Sequence, residues 1–336
     1  MIRFGIIGMG IRGKLYADTL VRNPYAQVVA VCDTNADALA QSQATYHVQA
    51  FTSYQDLILH GGVDALIVAT PDFLHHDIVL MAADHKLHMM IEKPFSTDTA
   101  EATEMAQAIS KAGVKCLVAF ENRWSLPFLQ AKHLCTQSSL GNILNVYASL
   151  ANTLFVPTKM LPWAGRSTPA WFLFPHIIDM AGWLTGKTVQ TVYATGVKQK
   201  LCASGIDTYD SIQAILTYSD GTSGVFTCGW ILPESYPVTA DQKMVLVGDK
   251  ACLNIDLSDQ MMRLATSEQY TLPRALPTPV NGQLNAPPCH MLNAFVDNLV
   301  NQTQPIADQN AGLENTKIIA AIHQSIQSGQ PVEIEH

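Results

Sequence analysis

The segment Ile2-Arg3-Phe4-Gly5-Ile6-Ile7-Gly8-Met9-Gly10-Ile11-Arg12-Gly13 decides how this chain is read. An apolar strand runs straight into Gly-x-Gly-x-x-Gly, and a helix-like segment follows. A second apolar run, Val28-Val29-Ala30-Val31-Cys32, closes on Asp33, twenty residues beyond Gly13. Each glycine has a mechanical task. Gly8 permits a tight turn, Gly10 lets backbone approach a pyrophosphate, and Gly13 lets the helix pack closely on the strand. N–H groups at the helix start, with the positive end of the helix dipole behind them, suit phosphate oxygens. Gly8, Met9, Gly10, Ile11, Arg12 and Gly13 are therefore candidate cofactor-binding residues. Asp33 is placed to accept hydrogen bonds from both adenosine ribose hydroxyls. The glycine string alone would be a turn without a ligand; strand, helix and acidic residue together make it a dinucleotide site.

Asp33 also bears on which dinucleotide binds. Its carboxylate would face the 2′-phosphate of NADP, and such like-charge contact is costly. The following Thr34-Asn35-Ala36 brings no arginine or lysine to offset it. NAD is expected rather than NADP.

At 336 residues with 48% hydrophobic content, the chain has enough apolar material for two cores. Its 20 basic and 28 acidic residues give a net charge of −8 with no block of either sign. That balance argues against nucleic acid as a direct partner. Cysteines at 32, 116, 135, 202, 228, 252 and 289 form no C-x-x-C pair, and most sit in apolar stretches, as buried thiols do in a reducing cytosol. The first strand begins at Ile2, leaving no place for a signal peptide, and no apolar run is long enough to span a bilayer. A soluble, cytoplasmic protein without a membrane partner is expected.

The pattern predicts an α/β protein in two domains, a dinucleotide-binding domain over 1–121 and a substrate-binding and oligomerisation domain over 122–336. The first alternates strands (2–7, 27–32, 64–69, 87–91, 115–119) with helices (11–22, 36–45, 73–84, 98–112), as a doubly wound parallel sheet does. Asp98, three residues before Glu101, marks a helix N-terminus. After a further helix over 126–137 come longer strands at 143–153, 189–198, 208–218, 223–231, 243–247 and 251–256. Turns at Tyr218-Ser219-Asp220-Gly221 and Gly248-Asp249-Lys250 suggest a large, mainly antiparallel open sheet. Helices are expected near 176–185, 288–301 and 311–328, and the proline-rich stretch 271–288 reads as a surface crossing.

The fifth strand ends in Met90-Ile91-Glu92-Lys93-Pro94. Ligands of such sheets bind beyond the carboxyl ends of the strands, so Lys93 would project toward the nicotinamide end of the cofactor. A lysine there can hold a substrate hydroxyl and share its proton. In isolation it would be a solvated lysine before a turn proline.

These elements, with Thr70-Pro71-Asp72-x-x-His75, Phe120-Glu121-Asn122-Arg123-Trp124 and the closing Ser325-x-x-x-Gly329-x-Pro331-Val332, resemble the glucose–fructose oxidoreductase/inositol dehydrogenase (Gfo/Idh/MocA) family over almost the whole chain. The resemblance implies a Rossmann domain followed by an open-sheet domain used for dimer or tetramer formation. It also implies hydride transfer between NAD(P) and a sugar, polyol or related hydroxy compound. It assigns Lys93 to the substrate hydroxyl, Glu92 to the cofactor's neighbourhood, and Thr70, Pro71 and His75 to the loop beside the nicotinamide half. His176 resembles the family's active-site histidine, and Asp179 the carboxylate one turn later. The chain departs from the pattern at Phe172, where many members carry an aspartate four residues before the histidine. It also has Pro169-Ala170-Trp171 in place of a glycine run, and Asp72 in place of an asparagine.

Lys93 and His176 are thus the expected catalytic pair. Arg123, Trp163 and Arg166 are further substrate candidates, with Trp163, Arg166 and Trp171 expected in a loop before His176. Tyr209, Tyr236 and His290 could reach the cleft from the second domain. His75 and His76 are adjacent, so they would point about 100° apart on a helix, and no metal is expected. The alternative to an enzyme is a non-catalytic NAD- and sugar-binding sensor, which Phe172 would favour. A further enzymatic option is elimination assisted by transient oxidation.

Overall fold

A computed structural model describes residues 1–273 and 277–335. They form two compact units, Met1–Trp124 with Pro277–Thr316, and Ser125–Leu276 with Lys317–His336.

The first unit holds six parallel strands: β1 (Ile2–Ile7), β2 (Ala26–Cys32), β3 (Gln49–Phe51), β4 (Ala65–Val68), β5 (His88–Ile91) and β6 (Cys116–Val118). Their order is β3-β2-β1-β4-β5-β6, so the winding reverses between β1 and β4. Helices α1 (Ile11–Leu20), α2 (Ala36–Tyr46), α3 (Tyr54–His60), α4 (His75–Asp84) and α5 (Thr99–Ala112) make the crossovers. A sheet covered on both faces needs strands apolar on both sides, and all four residues of β4 are buried. Side-chain caps start three of the helices: Asn35 accepts from the Ala38 N–H, Ser53 from Asp56, and Asp98 from Ala100 and Glu101. The expected Asp98 start is therefore observed. The pair β3 and α3 is new, because three residues are too few to display an alternation.

The second unit begins with α6 (Leu126–Thr136), β7 (Ile143–Thr153) and α7 (Pro169–Thr185). Then come β8 (Val189–Val197), the short α8 (Lys200–Ala203), β9 (Ser211–Tyr218), β10 (Ser223–Leu232), β11 (Ala240–Gly248) and β12 (Cys252–Asp256). Two small hairpins follow in the chain, β13 (Leu264–Ala265) with β14 (Tyr270–Thr271), and β15 (Thr278–Val280) with β16 (Gln283–Asn285). After them come α9 (Pro287–Val300), α10 (Gln309–Ser328) and β17 (Val332–Glu333). The large sheet runs β12-β11-β7-β10-β9-β8-β17, antiparallel except between β7 and β10. One face buries Val146, Ala148 and Leu150 of β7, Phe226, Cys228 and Trp230 of β10, and Met244 and Leu246 of β11 in a core shared with α7. The other exposes Tyr147, Tyr193, Ile215, Val225 and Ile231.

The closing motif has a structural explanation. The Ser325 hydroxyl accepts the Ala194 N–H of β8 and donates to the Gln330 carbonyl. Gly329, at φ +67°, ends α10, and Val332 then pairs with Val192 on the sheet edge.

Two expectations need correction. The second domain does not run unbroken from 122 to 336, because residues 277–316 return to the first unit. Met291, Leu292, Phe295, Val296 and Leu299 of α9 bury their side chains in the core around β1 and α1. An amphipathic helix does not declare which core it will join. The proline-rich crossing contains the β15–β16 hairpin, and its residues 274–276 lie outside the described ones. The segment before His176 is not a loop: α7 starts at Pro169, with Thr168 as its cap and Pro175 inside it. Among the described residues no helix is long and apolar enough to cross a membrane.

Candidate active site

In the first unit the carboxyl ends of β1, β2, β4 and β5 meet at the switch point. The three glycines differ there in what a side chain would meet. Gly8 has φ +95°, and a Cβ on it would lie 2.5 Å from the Ala69 carbonyl oxygen. A Cβ on Gly13 would lie 1.9 Å from the Gly8 oxygen, so no residue but glycine fits. A Cβ on Gly10 would meet nothing within 4 Å. Gly8 and Gly13 thus serve the turn and the packing, while Gly10 faces open space at the start of α1, which is what a pyrophosphate needs.

Asp33 holds this loop from the end of β2. Its Oδ2 accepts the Met9 N–H at 2.7 Å, and its Oδ1 accepts the Asn35 N–H at 2.7 Å. Each oxygen keeps a lone pair for a ribose hydroxyl. At the end of β4, the Thr70 hydroxyl is buried with no hydrogen-bond partner among the described residues, and so is the Asn122 amide nitrogen after β6. Buried polar atoms of this kind ask for a ligand or water. The cradle at Gly10, the Asp33 carboxylate and the unpaired Thr70 hydroxyl together fit a dinucleotide.

Several candidate side chains turn out to be committed elsewhere. The Arg12 guanidinium binds Glu121, with distances of 2.8 Å to Oε1 and 2.6 Å to Oε2, and its Nε lies 3.6 Å from Glu92 Oε1. Arg12 can therefore serve a cofactor through its backbone rather than its charge. Glu92 is buried, accepting the Tyr16 hydroxyl and, at 3.1 Å, the Lys93 N–H. Tyr16 and Glu92, both buried, and Arg12 and Glu121, both half-buried, make one network, of which Arg12 and Glu92 alone are candidates from the sequence. His75 is buried too. Its Nδ1 lies 3.1 Å from the Pro94 oxygen and its Nε2 3.2 Å from the Thr70 oxygen, so the ring sits between the β4 loop and the turn after β5, and a neutral ring donates to one of them. Asp72 is buried and caps the Phe73 N–H. Arg123 is also buried, donating to the Ile306 carbonyl with its guanidinium 5.8 Å from the Phe120 ring centre. It secures the returning segment.

Lys93 lies two residues past the end of β5 and is half-buried. Burial lowers its ammonium pKa below the ordinary lysine range, against the opposing pull of Glu92.

In the second unit, Phe172 and His176 lie one turn apart on α7 and share a face, both half-buried, while Asp179 is buried. The Phe172 ring stands edge-on to two indoles, Trp230 at 5.7 Å and Trp163 at 6.2 Å. Trp230 is fully buried. Arg166 is exposed just before the helix, whereas Trp171 is buried and stacks on His323. Of the remaining candidates, the Tyr209 ring lies beneath the Lys198 ammonium and Tyr236 donates to Asp241. His290 bonds Asn285 and belongs to the first unit, not the second.

Residues 2–120 match the oxidoreductase family with an NAD-binding Rossmann fold, and residues 128–254 match the GFO/IDH/MocA C-terminal domain. The chain belongs to the Gfo/Idh/MocA family, whose members are NAD-binding oxidoreductases acting on CH–OH groups. It is 26% identical to the uncharacterized oxidoreductase YrbE of Bacillus subtilis over 99% of this chain and 96% of that one. It is 25% identical to the myo-inositol 2-dehydrogenase of Thermotoga maritima, covering 80% and 79% respectively. The scyllo-inositol dehydrogenase of Lactobacillus casei, solved with NAD(H) and scyllo-inositol, superposes with a TM-score of 0.85 at 20% identity, covering 99% of each chain.

Asp33 yields a direct prediction for the cofactor. NAD should bind much more tightly than NADP, and Asp33→Ser should narrow the gap by relieving repulsion of the 2′-phosphate. NAD affinity should itself fall in the variant, since the Met9 N–H loses its acceptor. Calorimetry with both dinucleotides measures this; equal affinities in the parent protein would refute it.

Proposed function

We propose that this protein oxidises a hydroxyl of a sugar, polyol or related compound, with Lys93 and His176 acting on the reacting oxygen. The observation that carries this reading is the half-buried Lys93, placed after β5 with its pKa lowered by burial. A lysine so tuned can exchange a proton nearer neutral pH than a solvated one. The relatives named as inositol dehydrogenases support the substrate class. The phosphates would lie on the Gly8–Gly13 loop, the ribose on Asp33, and the nicotinamide half beside Thr70 and Pro71, with His75 holding that loop in place. Bound NAD supplies the hydride acceptor. Lys93 Nζ holds the substrate oxygen and shares its proton, and the His176 imidazole takes up that proton. The Arg12–Glu121–Glu92–Tyr16 network fixes the turn from which Lys93 projects. Trp163 and Arg166 stand near the same helix as substrate-facing residues, and Asp179 supports His176 from within α7.

A panel of sugars, polyols and hydroxy acids with NAD, followed by nicotinamide absorbance, tests the assignment. No turnover on any of them, with NAD bound, would count against it. A cytoplasmic setting suits the same reading, since all seven cysteines are free.

We further propose a homodimer or homotetramer formed through the outer face of the large sheet. Tyr147, Tyr193, Ile215, Val225 and Ile231 are exposed there on four neighbouring strands, and obligate interfaces are apolar in this way. Sedimentation at micromolar concentration should show the oligomer, and Val225→Glu should shift it toward monomer. A monomeric parent protein would exclude the interface.

A further inference from the structure

The helix that carries Phe172 and His176 starts from a relay of side chains that reaches into α10. Thr168 caps α7: its Oγ1 accepts the Trp171 N–H at 3.2 Å, and its carbonyl accepts the Phe172 N–H at 3.0 Å. The same Oγ1 lies 2.8 Å from Nε2 of His323. Nδ1 of His323 lies 2.8 Å from the carbonyl oxygen of Ile319, one turn earlier in α10. A carbonyl can only accept, so Nδ1 carries the proton and a neutral ring leaves Nε2 as an acceptor. The Thr168 hydroxyl then donates to Nε2 and keeps a lone pair for the Trp171 N–H. Every donor has an acceptor, and the direction of the chain is set by the Ile319 carbonyl.

Two further features hold this relay in place. The His323 ring lies nearly flat on Trp171, with centres 5.0 Å apart and planes at 17°. The residue before the cap is tied down as well, since Thr208 donates to the Ser167 carbonyl at 2.7 Å. Burial lowers the pKa of His323, in keeping with the neutral ring the relay uses. Two residues further on, at the same end of α10, Ser325 anchors the helix to β8. Helix α10 therefore connects the sheet edge to the first turn of α7, four residues before Phe172 and eight before His176.

We propose that His323 and Thr168 are a positioning pair that sets the entry of α7, and with it the placement of the His176 imidazole. This rests on the reading of His176 as an active-site residue. The pair touches no reacting atom; it acts through the helix.

Thr168→Val and His323→Leu each remove one link at nearly constant volume. Each should lower kcat about tenfold or more, as small misplacements of a reacting group do, while KM for NAD stays within about twofold. The double variant should be little worse than either single one. Thr168→Ser keeps the hydroxyl, and His323→Gln offers an acceptor at about the reach of Nε2, so both should restore most of the loss. A purely structural role would lower the melting temperature and leave kcat of the folded enzyme alone, and that result overturns the proposal. Equal losses in His323→Gln and His323→Leu would also overturn it. If the parent protein oxidises nothing in the panel, the functional reading of His176 fails on its own, and two other readouts still decide the pair. The Trp171 and Phe172 amides should exchange faster in Thr168→Val and His323→Leu than in the parent, and imidazole nitrogen shifts should show the Nδ1–H tautomer. Unchanged exchange, or the opposite tautomer, refutes the relay.

Discussion

Lys93→Met should leave NAD affinity nearly unchanged and lower turnover by two orders of magnitude or more. The two effects separate because the candidate cofactor residues are the glycine loop, Asp33 and Thr70, whereas Lys93 offers its ammonium to the reacting oxygen. A positioned proton-transfer group typically contributes about 10²–10⁴ in rate. Methionine keeps the length and most of the volume of the side chain, so packing after β5 is preserved. The pH profile gives a second reading of the same experiment. Burial lowers the Lys93 pKa, so the oxidation rate of the parent enzyme should rise with pH through an apparent pKa below the ordinary lysine range. That limb should vanish in the variant. An active parent that loses nothing in Lys93→Met would overturn the assignment of the site.

Phe172→Asp should destabilise the second unit without creating activity on simple polyols. The sequence alone leaves two accounts of Phe172 open: an aspartate retired from catalysis, or a pocket rebuilt for another substrate. The two indoles support the second. Trp230 and Trp163 both present ring contacts to Phe172, each such pair contributing about 0.5–1.5 kcal/mol beyond its buried area. An aspartate would forfeit both contacts and set a carboxylate against a fully buried indole, for a total cost of about 2–4 kcal/mol. Melting of the variant should fall by about 5–10 °C. Phe172→Leu, which stays apolar, should lose much less. An unchanged melting temperature together with new polyol oxidation would instead restore the retired-aspartate account.

The parts of this protein that were legible in its sequence are those written in contiguous residues. The glycine loop, its strand and Asp33 lie within the first 33 positions; Gly8 and Gly13 have no room for a side chain, and Asp33 holds the loop through the Met9 N–H. The parallel first sheet was legible because fully buried strands read as unbroken apolar runs. The sequence pattern places this helix near 176–185, whereas α7 starts at Pro169 and carries Pro175 inside it. The usable signal was Thr168-Pro169, a capping hydroxyl followed by proline at the first helical position. The Arg12–Glu121 pair was not legible, since 109 residues separate its members and nothing in the local sequence of either names the other. The contacts of His75 were illegible for a related reason, because its ring nitrogens face the carbonyls of Thr70, Pro94 and Phe95, and the last two follow β5.

The return of residues 277–316 to the first unit has a consequence for how the protein is made. A ribosome that has released the first 124 residues has delivered every strand of the cofactor sheet but not α9, whose Met291, Leu292, Phe295, Val296 and Leu299 complete the core beside β1 and α1. Until α9 has been translated, that apolar strip stays uncovered on a nascent chain, the kind of surface that chaperones recognise. The cofactor unit, although its strands are made before those of the second sheet, is therefore completed only after them.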